Sequence, residues 1–206
     1  MASPHHHGGP PPPVEKMDPS SPPQSQSMSE ENIHVELTHE PLNITGTLNR
    51  VRSPKAGALV LFAGTTRDNF DSKPVAHLSY TSYPPLALRT LLTISRAILT
   101  KYNLIGISVI HRLGTCPIGE ESILIAVSAP QRKAAWDAGE ECLEMVKEKA
   151  EIWKLETFEG GEGVWRANRD GQRGVRVDGV DKEVGLEGGV EGIEGATDDV
   201  AGGIKT

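Results

Sequence analysis

The stretch ISVIHRLGTCPIGEESILIAVSAPQR, residues 107–132, is the most informative part of the sequence for architecture. Apolar and polar residues alternate up to Val109, which predicts one strand, and the continuous apolar run at 123–127 predicts a second, buried strand. Pro130 then predicts the start of a helix, because proline is tolerated in the first helical turn. The stretch therefore predicts two neighbouring strands followed by a helix.

Upstream of this stretch the pattern predicts three more strands and one more helix. Alternation at 33–37, the apolar run at 58–63 and the segment 76–82 are each typical of a strand. Pro84–Pro85 open a segment whose apolar residues follow helical spacing. The order strand, strand, strand, helix, strand, strand, helix predicts an α+β domain with a largely antiparallel sheet.

Charge and composition divide the 206 residues into one domain and two tails. Of the net charge of −7, residues 1–29 contribute −1 and residues 170–206 contribute −5, whereas residues 30–169 carry −1 and all nine aromatic residues. The first segment is rich in proline and serine and the last in glycine and acids, so both are predicted to be disordered tails. Met28, just before the first predicted strand, could be an alternative start.

Several classes of protein are excluded by composition. No apolar run approaches the ~20 residues of a membrane span, and no basic segment followed by an apolar run predicts a secretory signal. Two cysteines outside any CxxC pair indicate reduced thiols, so we expect a cytoplasmic (cytosolic) protein without membrane contact. The near-neutral domain argues against nucleic-acid binding. The sequence shows no metal-ligand spacing and no dinucleotide fingerprint, so we expect no metal and no cofactor.

Two segments that follow predicted strands carry polar side chains. Residues 64–69 and His111 can each be interpreted in two ways. Residues 64–69 form either a polar turn or a loop whose N–H groups and Arg67 cradle an anion. His111, at the end of an apolar strand, is either a structural or a functional histidine. Arg112 is too costly to bury unpaired, so it must find an anion or an acid.

Cations also mark both ends of the second predicted helix. Gln131–Lys133 lie at its start, where the helix dipole favours an anion, although a solvated helix end is an equal interpretation. Lys147 and Lys149 lie at its end, where the dipole favours lysine in any protein. Lys154 follows an apolar pair, and apolar surroundings can keep a lysine amine neutral and reactive. Cations on separate segments indicate a small ligand that carries phosphate or carboxylate.

Four stretches together resemble the large, catalytic subunit family of molybdopterin synthase. They occur in family order and spacing over roughly 130 residues. The matching stretches are GALVLFAGTTRDNF (57–70), LSYTSYPPLA (78–87), residues 107–132 quoted above and VKEKAEIWKLETFEGGEGVWRAN (146–168). The resemblance implies a single α/β-hammerhead-like domain, compatible with the α+β prediction, over residues 30–169.

The resemblance also implies a reaction and its partners. The family transfers two sulfurs to cyclic pyranopterin monophosphate, which forms the dithiolene of molybdopterin. The sulfur comes from the thiocarboxylated Gly-Gly terminus of a small ubiquitin-like subunit, within a heterotetramer built around a dimer of large subunits. The resemblance therefore predicts a sulfurtransferase of molybdenum cofactor biosynthesis. One alternative is a non-catalytic scaffold that docks a ubiquitin-like partner. Another is an unrelated nucleotide-binding protein, but the sequence contains no motif that supports it.

The family motifs assign roles to individual residues of this chain. Lys147 matches the lysine nearest the incoming thiocarboxylate and Lys154 the second essential lysine, so these are the catalytic candidates. The predicted substrate-binding set is Arg67, Gln131, Arg132, Lys147, Lys154 and Glu156, with His111, Arg112 and Arg169 as further candidates.

Three residues depart from the family pattern. Gln131 stands where the family usually has histidine, which puts an imidazole proton shuttle there in doubt, although glutamine can still bind phosphate. Glu151 replaces a usual proline, and Leu155 replaces a second basic residue. The last two are expected to weaken the local positive field without removing the matched lysines.

The predicted helix length has a consequence for the site. If residues 131–147 form one helix, Arg132 and Lys147 lie about 22 Å apart along its axis. They cannot both hold one small substrate, so we expect Arg132 to serve the site of the other large subunit.

Overall fold

The computed structural model describes residues 25–167 and 175–178, in which it contains three helices and eleven strands. The helices are α1 (Ile44–Val51), α2 (Pro84–Tyr102) and α3 (Arg132–Lys149). The strands are β1 (Gln26–Glu30), β2 (Ile33–Thr38), β3 (Ala58–Thr65), β4 (Asn69–Phe70), β5 (Lys73–Ser82), β6 (Gly106–Arg112), β7 (Gly114–Pro117), β8 (Glu121–Ala129), β9 (Ile152–Phe158), β10 (Glu162–Ala167) and β11 (Val175–Asp178).

Five of these strands form a first sheet in the order β1-β2-β6-β8-β3. All its neighbours are antiparallel except β2 and β6, which run parallel. Strand β6 is buried along its whole length, as expected for a central strand covered on both faces. The α+β prediction with largely antiparallel pairing is therefore confirmed.

A second sheet has the order β11-β10-β9-β5-β4, and β7 also pairs with β5. All its pairs are antiparallel. Strand β7 follows β6 after a single residue, Leu113, so the chain passes directly from the first sheet to the second there. This junction brings the end of β6 next to β5 and β9.

Helices α2 and α3 cover the first sheet with apolar faces of different size. The face of α2 includes Leu91 and Ile98, both almost fully buried. The face of α3 consists largely of small residues, and at Gly139 a Cβ would lie 3.5 Å from Val60. Small residues let α3 approach the sheet closely, which fixes the position of its last turn. No helix in the described part of the chain is long and apolar enough to cross a membrane.

Strands and helices with strong periodic patterns were predicted correctly, whereas elements with weak patterns were missed. The five predicted strands and both predicted helices are present, although α3 starts at Arg132, with Gln131 as its N-cap, rather than at Pro130. Helix α1 was missed because ITGTLNRV combines glycine with β-branched residues, which have low helix propensity. Its start is fixed by Asn43, whose Oδ1 accepts a hydrogen bond of 2.8 Å from the Gly46 amide.

Both predicted tail boundaries need correction. Strand β1 lies largely inside the segment 1–29, and it pairs residue by residue with β2. Strand β11 lies inside the segment 170–206 and pairs with β10. Short segments with sparse apolar residues join a sheet because a neighbouring strand supplies their hydrogen bonds. The remainder of both predicted tails lies outside the described residues.

We predict that Asn43→Ala lowers the free energy of unfolding by about 1 kcal/mol, because α1 loses its N-cap hydrogen bond. Chemical denaturation would measure this change. Asn49→Ala, at an exposed position of the same helix, is the control and should change stability by less than about 0.5 kcal/mol. Equal effects of the two substitutions would contradict the capping role.

Candidate active site

A cleft lies between the two sheets beside the last turns of α3, and it brings together four residues of the predicted substrate-binding set. Arg67 follows β3, Lys147 comes from α3, and Lys154 and Glu156 come from β9. These segments are far apart in sequence, so only the fold places their side chains in one cleft. This arrangement is what the interpretation of residues 64–69 as an anion-binding loop requires.

Apolar and polar side chains contribute about equally to the walls of the cleft. The apolar part is formed by Phe62, Phe70, Val75, Leu78, Ile123 and Leu143. Apolar walls lower the local dielectric constant, so charged side chains interact more strongly with a bound anion than they would in water. The cleft therefore combines a partly apolar lining with three cationic side chains.

The two lysines each lie near an acidic side chain. Lys154 Nζ is 3.2 Å from Glu156 Oε1, and Lys147 Nζ is 3.6 Å from Glu144 Oε1. Glu156 is only 2% exposed, whereas the Lys154 side chain keeps 20% of its surface exposed. Because side chains alternate along a strand, Lys154 and Glu156 share one face of β9, and the buried carboxylate orients the amine toward the cleft.

We predict that Glu156→Gln lowers activity roughly tenfold or more. Glutamine keeps the size of the side chain but removes the charge that holds the Lys154 ammonium in place. Steady-state rates of the wild type and the variant would measure the loss. Glu144→Gln is the matched control, since Glu144 is exposed, and it should stay within about threefold of wild type. Equal rates for Glu156→Gln and wild type would contradict the orienting role.

His111 lines the cleft, whereas Arg112 does not. Arg112 is 8% exposed and forms an ion pair with Glu120, so it has the acidic partner that its burial requires. His111 Nδ1 lies 2.7 Å from the Arg112 carbonyl oxygen, and its ring meets Tyr80 edge-to-face with centroids 4.9 Å apart. Burial lowers the pKa of His111 to about 4, so the ring is neutral at pH 7.

The lowered pKa predicts an acid-sensitive fold. Between the ordinary histidine value of 6.5 and about 4, the unfolded chain binds a proton that the folded chain does not. Stability should therefore fall as the pH drops through this window, by up to about 3 kcal/mol, and His111 should contribute no slope above it. Denaturation at several pH values would show this slope, and His111→Gln should flatten it. A wild-type slope that persists in the variant would contradict the assignment.

Gln131 and Arg132 lie elsewhere, at the opposite end of α3 from Lys147. Both are exposed, and they line a shallow surface with Lys133 and Trp136. Helix α3 is continuous from Arg132 to Lys149, so the 22 Å separation predicted from the sequence holds along its axis. Lys133 pairs with Asp137 at 2.8 Å.

Comparison with known proteins identifies the family. The sequence model of the MoaE protein matches residues 37–149, more than half of the chain. The chain belongs to the MoaE family. A relative from Neurospora crassa, named molybdopterin synthase catalytic subunit, is 64% identical over 160 residues, which is 77% of this chain and 78% of that protein.

Solved structures show the same fold. The crystal structure of molybdopterin synthase from Staphylococcus aureus has a TM-score of 0.60 and 33% identity, and covers 63% of this chain and 94% of that one. A complex of subunits 1 and 2 of molybdopterin-converting factor from Helicobacter pylori has a TM-score of 0.51 and 22% identity, with coverage of 59% and 83%. Family membership confirms the prediction of an enzyme with a sulfur-transfer role in molybdenum cofactor biosynthesis.

All three departures from the MoaE pattern lie outside the cleft lining, since Gln131 lies at the far end of α3. Leu155 is 7% exposed and occupies the face of β9 opposite Lys154 and Glu156. Glu151 lies before β9, where one carboxylate oxygen accepts a hydrogen bond of 3.2 Å from Thr90. Their expected weakening of the positive field at the lysines stays a prediction. Arg169, the weakest of the predicted site residues, lies outside the described residues.

Several lining residues were not predicted from the sequence. Tyr80 is 7% exposed, and burial raises its pKa to about 12, so it is a neutral phenol in the cleft wall. Ser122 and Asn69 also line the cleft. Alternation along β5 marks Tyr80 as inward-facing, but only the pairing of β5 with β7 and β9 places it beside His111. In the part of the chain that the structure describes, no group of three or more histidine, cysteine or acidic side chains could hold a metal ion.

Proposed function

We propose that this cleft is the site where sulfur passes from a protein thiocarboxylate to cyclic pyranopterin monophosphate. The single observation that supports it best is the convergence of Arg67, Lys147 and Lys154 from three separate segments. Thiocarboxylate and phosphate are both anions, and cationic side chains can hold them together despite their repulsion. The apolar walls strengthen these contacts.

The chemistry of the two lysines follows from their positions. A lysine ammonium next to the acyl carbon stabilises the oxyanion that develops when the thiocarboxylate reacts. An ammonium can also donate a proton to a reacting group. We assign the oxyanion role to Lys147, which the family motif places nearest the thiocarboxylate, and proton transfer to Lys154, which Glu156 orients. Arg67 is assigned to anion binding.

The partner of this chain is proposed to be a small ubiquitin-like sulfur carrier that ends in Gly-Gly. The Helicobacter pylori relative in fold is a complex of two subunits of molybdopterin-converting factor, which supports a two-subunit arrangement here. We propose a heterotetramer with a dimer of this chain at its centre. A cytosolic location stays a prediction, which cell fractionation would test.

Arg132 is proposed to complete the site of the partner copy within this dimer. It lies far from the cleft of its own chain, and it is exposed beside Trp136, whose surface is 63% exposed. An exposed tryptophan next to arginine is typical of the residues that dominate protein interfaces. Gln131, adjacent to Arg132, would reach the same substrate with its amide.

Reconstitution with purified components tests the proposal against the scaffold alternative. The chain is mixed with the thiocarboxylated carrier and cyclic pyranopterin monophosphate, and the dithiolene product is measured. We expect product formation that depends on all three components. Stable binding of the carrier without any product would favour a scaffold and would contradict catalysis.

A further inference from the structure

His111 is a buried side chain of the cleft with one polar atom left for a ligand. The residue is 1% exposed, and Nδ1 lies 2.7 Å from the Arg112 carbonyl oxygen. A carbonyl oxygen can only accept a hydrogen bond, so Nδ1 carries the proton and donates it. None of the side chains that the structure describes forms a hydrogen bond with Nε2, and His111 lines the cleft.

The surroundings keep the ring neutral and in one orientation. Because burial holds the pKa of His111 near 4, Nε2 is an unprotonated acceptor at pH 7. The edge-to-face contact with Tyr80, at an interplanar angle of 71°, packs the ring from the side of β5. The donated bond from Nδ1 fixes it from the side of β6. The structure thus presents a preorganised, neutral hydrogen-bond acceptor in a cleft that also contains three cationic side chains.

A neutral acceptor and a cation select different parts of a ligand. Arg67, Lys147 and Lys154 suit the anionic groups of both reactants, and an sp² nitrogen lone pair cannot attract those groups. It suits a neutral N–H or O–H donor, which a pterin carries on its ring system. A buried acceptor without a donor loses the hydrogen bond that water would supply, which disfavours any ligand that lacks the donor.

We propose that His111 Nε2 accepts a hydrogen bond from an N–H or O–H group of the pterin substrate, which makes His111 a specificity-determining contact. This inference rests on the proposed function of the cleft. The backbone N–H groups of the carrier terminus are the other donors that could enter, and the experiment below separates the two sources.

Two amide substitutions separate the structural nitrogen from the ligand-binding one. The side-chain amide of His111→Asn reaches the position of Nδ1, whereas that of His111→Gln reaches the position of Nε2. Calorimetric Kd values for the pterin and for the carrier are measured separately on each variant, together with thermal stability. We expect Asn to weaken pterin binding at least about fivefold and Gln to stay within about twofold, with unchanged carrier binding.

Three outcomes would overturn the proposal. They are unchanged pterin binding in His111→Asn, losses in both variants that only follow their stability, and a loss confined to carrier binding. The wild-type chain gives an answer even if a variant does not fold. With ¹⁵N-labelled histidine, the unprotonated Nε2 resonance of His111 should move upfield when the pterin is added, and an unmoved resonance contradicts the contact. Both readouts measure binding, so failure of sulfur transfer itself would appear separately, as a wild type without dithiolene product.

Discussion

Lys154→Ala is expected to lower the rate of dithiolene formation by about 10³-fold. The side chain is held by Glu156 at 3.2 Å and lines the cleft, where it supplies either charge stabilisation or proton transfer to the reacting groups. Losses of 10² to 10⁴ are typical when one such group is removed. Single-turnover assays with saturating carrier and pterin would measure the chemical step without a contribution from binding.

Lys149→Ala is the matched control for this prediction. Lys149 is an exposed lysine in the last turn of α3, two residues from Lys147, and it does not line the cleft. Its removal should leave the rate within about twofold of wild type. A Lys154→Ala enzyme with full activity, or equal losses in the two variants, would remove Lys154 from the mechanism.

Mixing two inactive variants is expected to restore activity. If each site takes Lys154 from one chain and Arg132 from its partner, a mixed dimer of Arg132→Ala and Lys154→Ala chains contains one intact site. Random assortment makes half of the dimers mixed, so the mixture should recover about a quarter of wild-type activity. The same assay applied to each variant alone should show losses of at least about 10²-fold.

A second mixture controls for non-specific rescue. Arg67→Ala and Lys154→Ala each alter the cleft of the chain that carries them, so both clefts of their mixed dimer are altered and no site is intact. This pair should therefore recover no activity, even if the two chains exchange freely. A chain that carries both Arg132→Ala and Lys154→Ala, mixed with wild type, leaves no intact site in the mixed dimer. If the Arg132→Ala with Lys154→Ala mixture also recovers no activity, Arg132 and Lys154 act in the site of one chain and the shared-site proposal is contradicted.

The sequence predicted those parts of the fold that depend on local patterns. The apolar runs that became β3 and β8 and the helical spacing of α2 are strong periodic signals. Helix α1 depends on a cap and on packing, and β1, β4, β7, β10 and β11 depend on pairing with distant partners, which no local window contains. The same reason explains the wrong tail boundaries, since β1 is a strand only because β2 supplies its partner.

The candidate site was likewise predicted in part. The features that were missed depend, like the missed strands, on contacts between distant segments. Arg67, Lys147, Lys154 and Glu156 were found through the family motifs, and the fold places them in one cleft. The contribution of Tyr80 and the tautomer of His111 were not predictable, because both arise where the two sheets meet. Arg112 illustrates a rule that did work from the residue type alone, since a buried guanidinium needs an acid and Glu120 provides it.

The central claim is that this chain transfers sulfur from the carrier thiocarboxylate to the pterin. Counting the sulfur consumed tests it most directly. In a single turnover of the wild-type chain with excess thiocarboxylated carrier, mass spectrometry measures the carrier converted to carboxylate and the dithiolene product formed. The account predicts two carrier molecules converted for each product and almost no conversion without the pterin. Carrier that binds this chain but keeps its thiocarboxylate in the presence of the pterin would contradict the account.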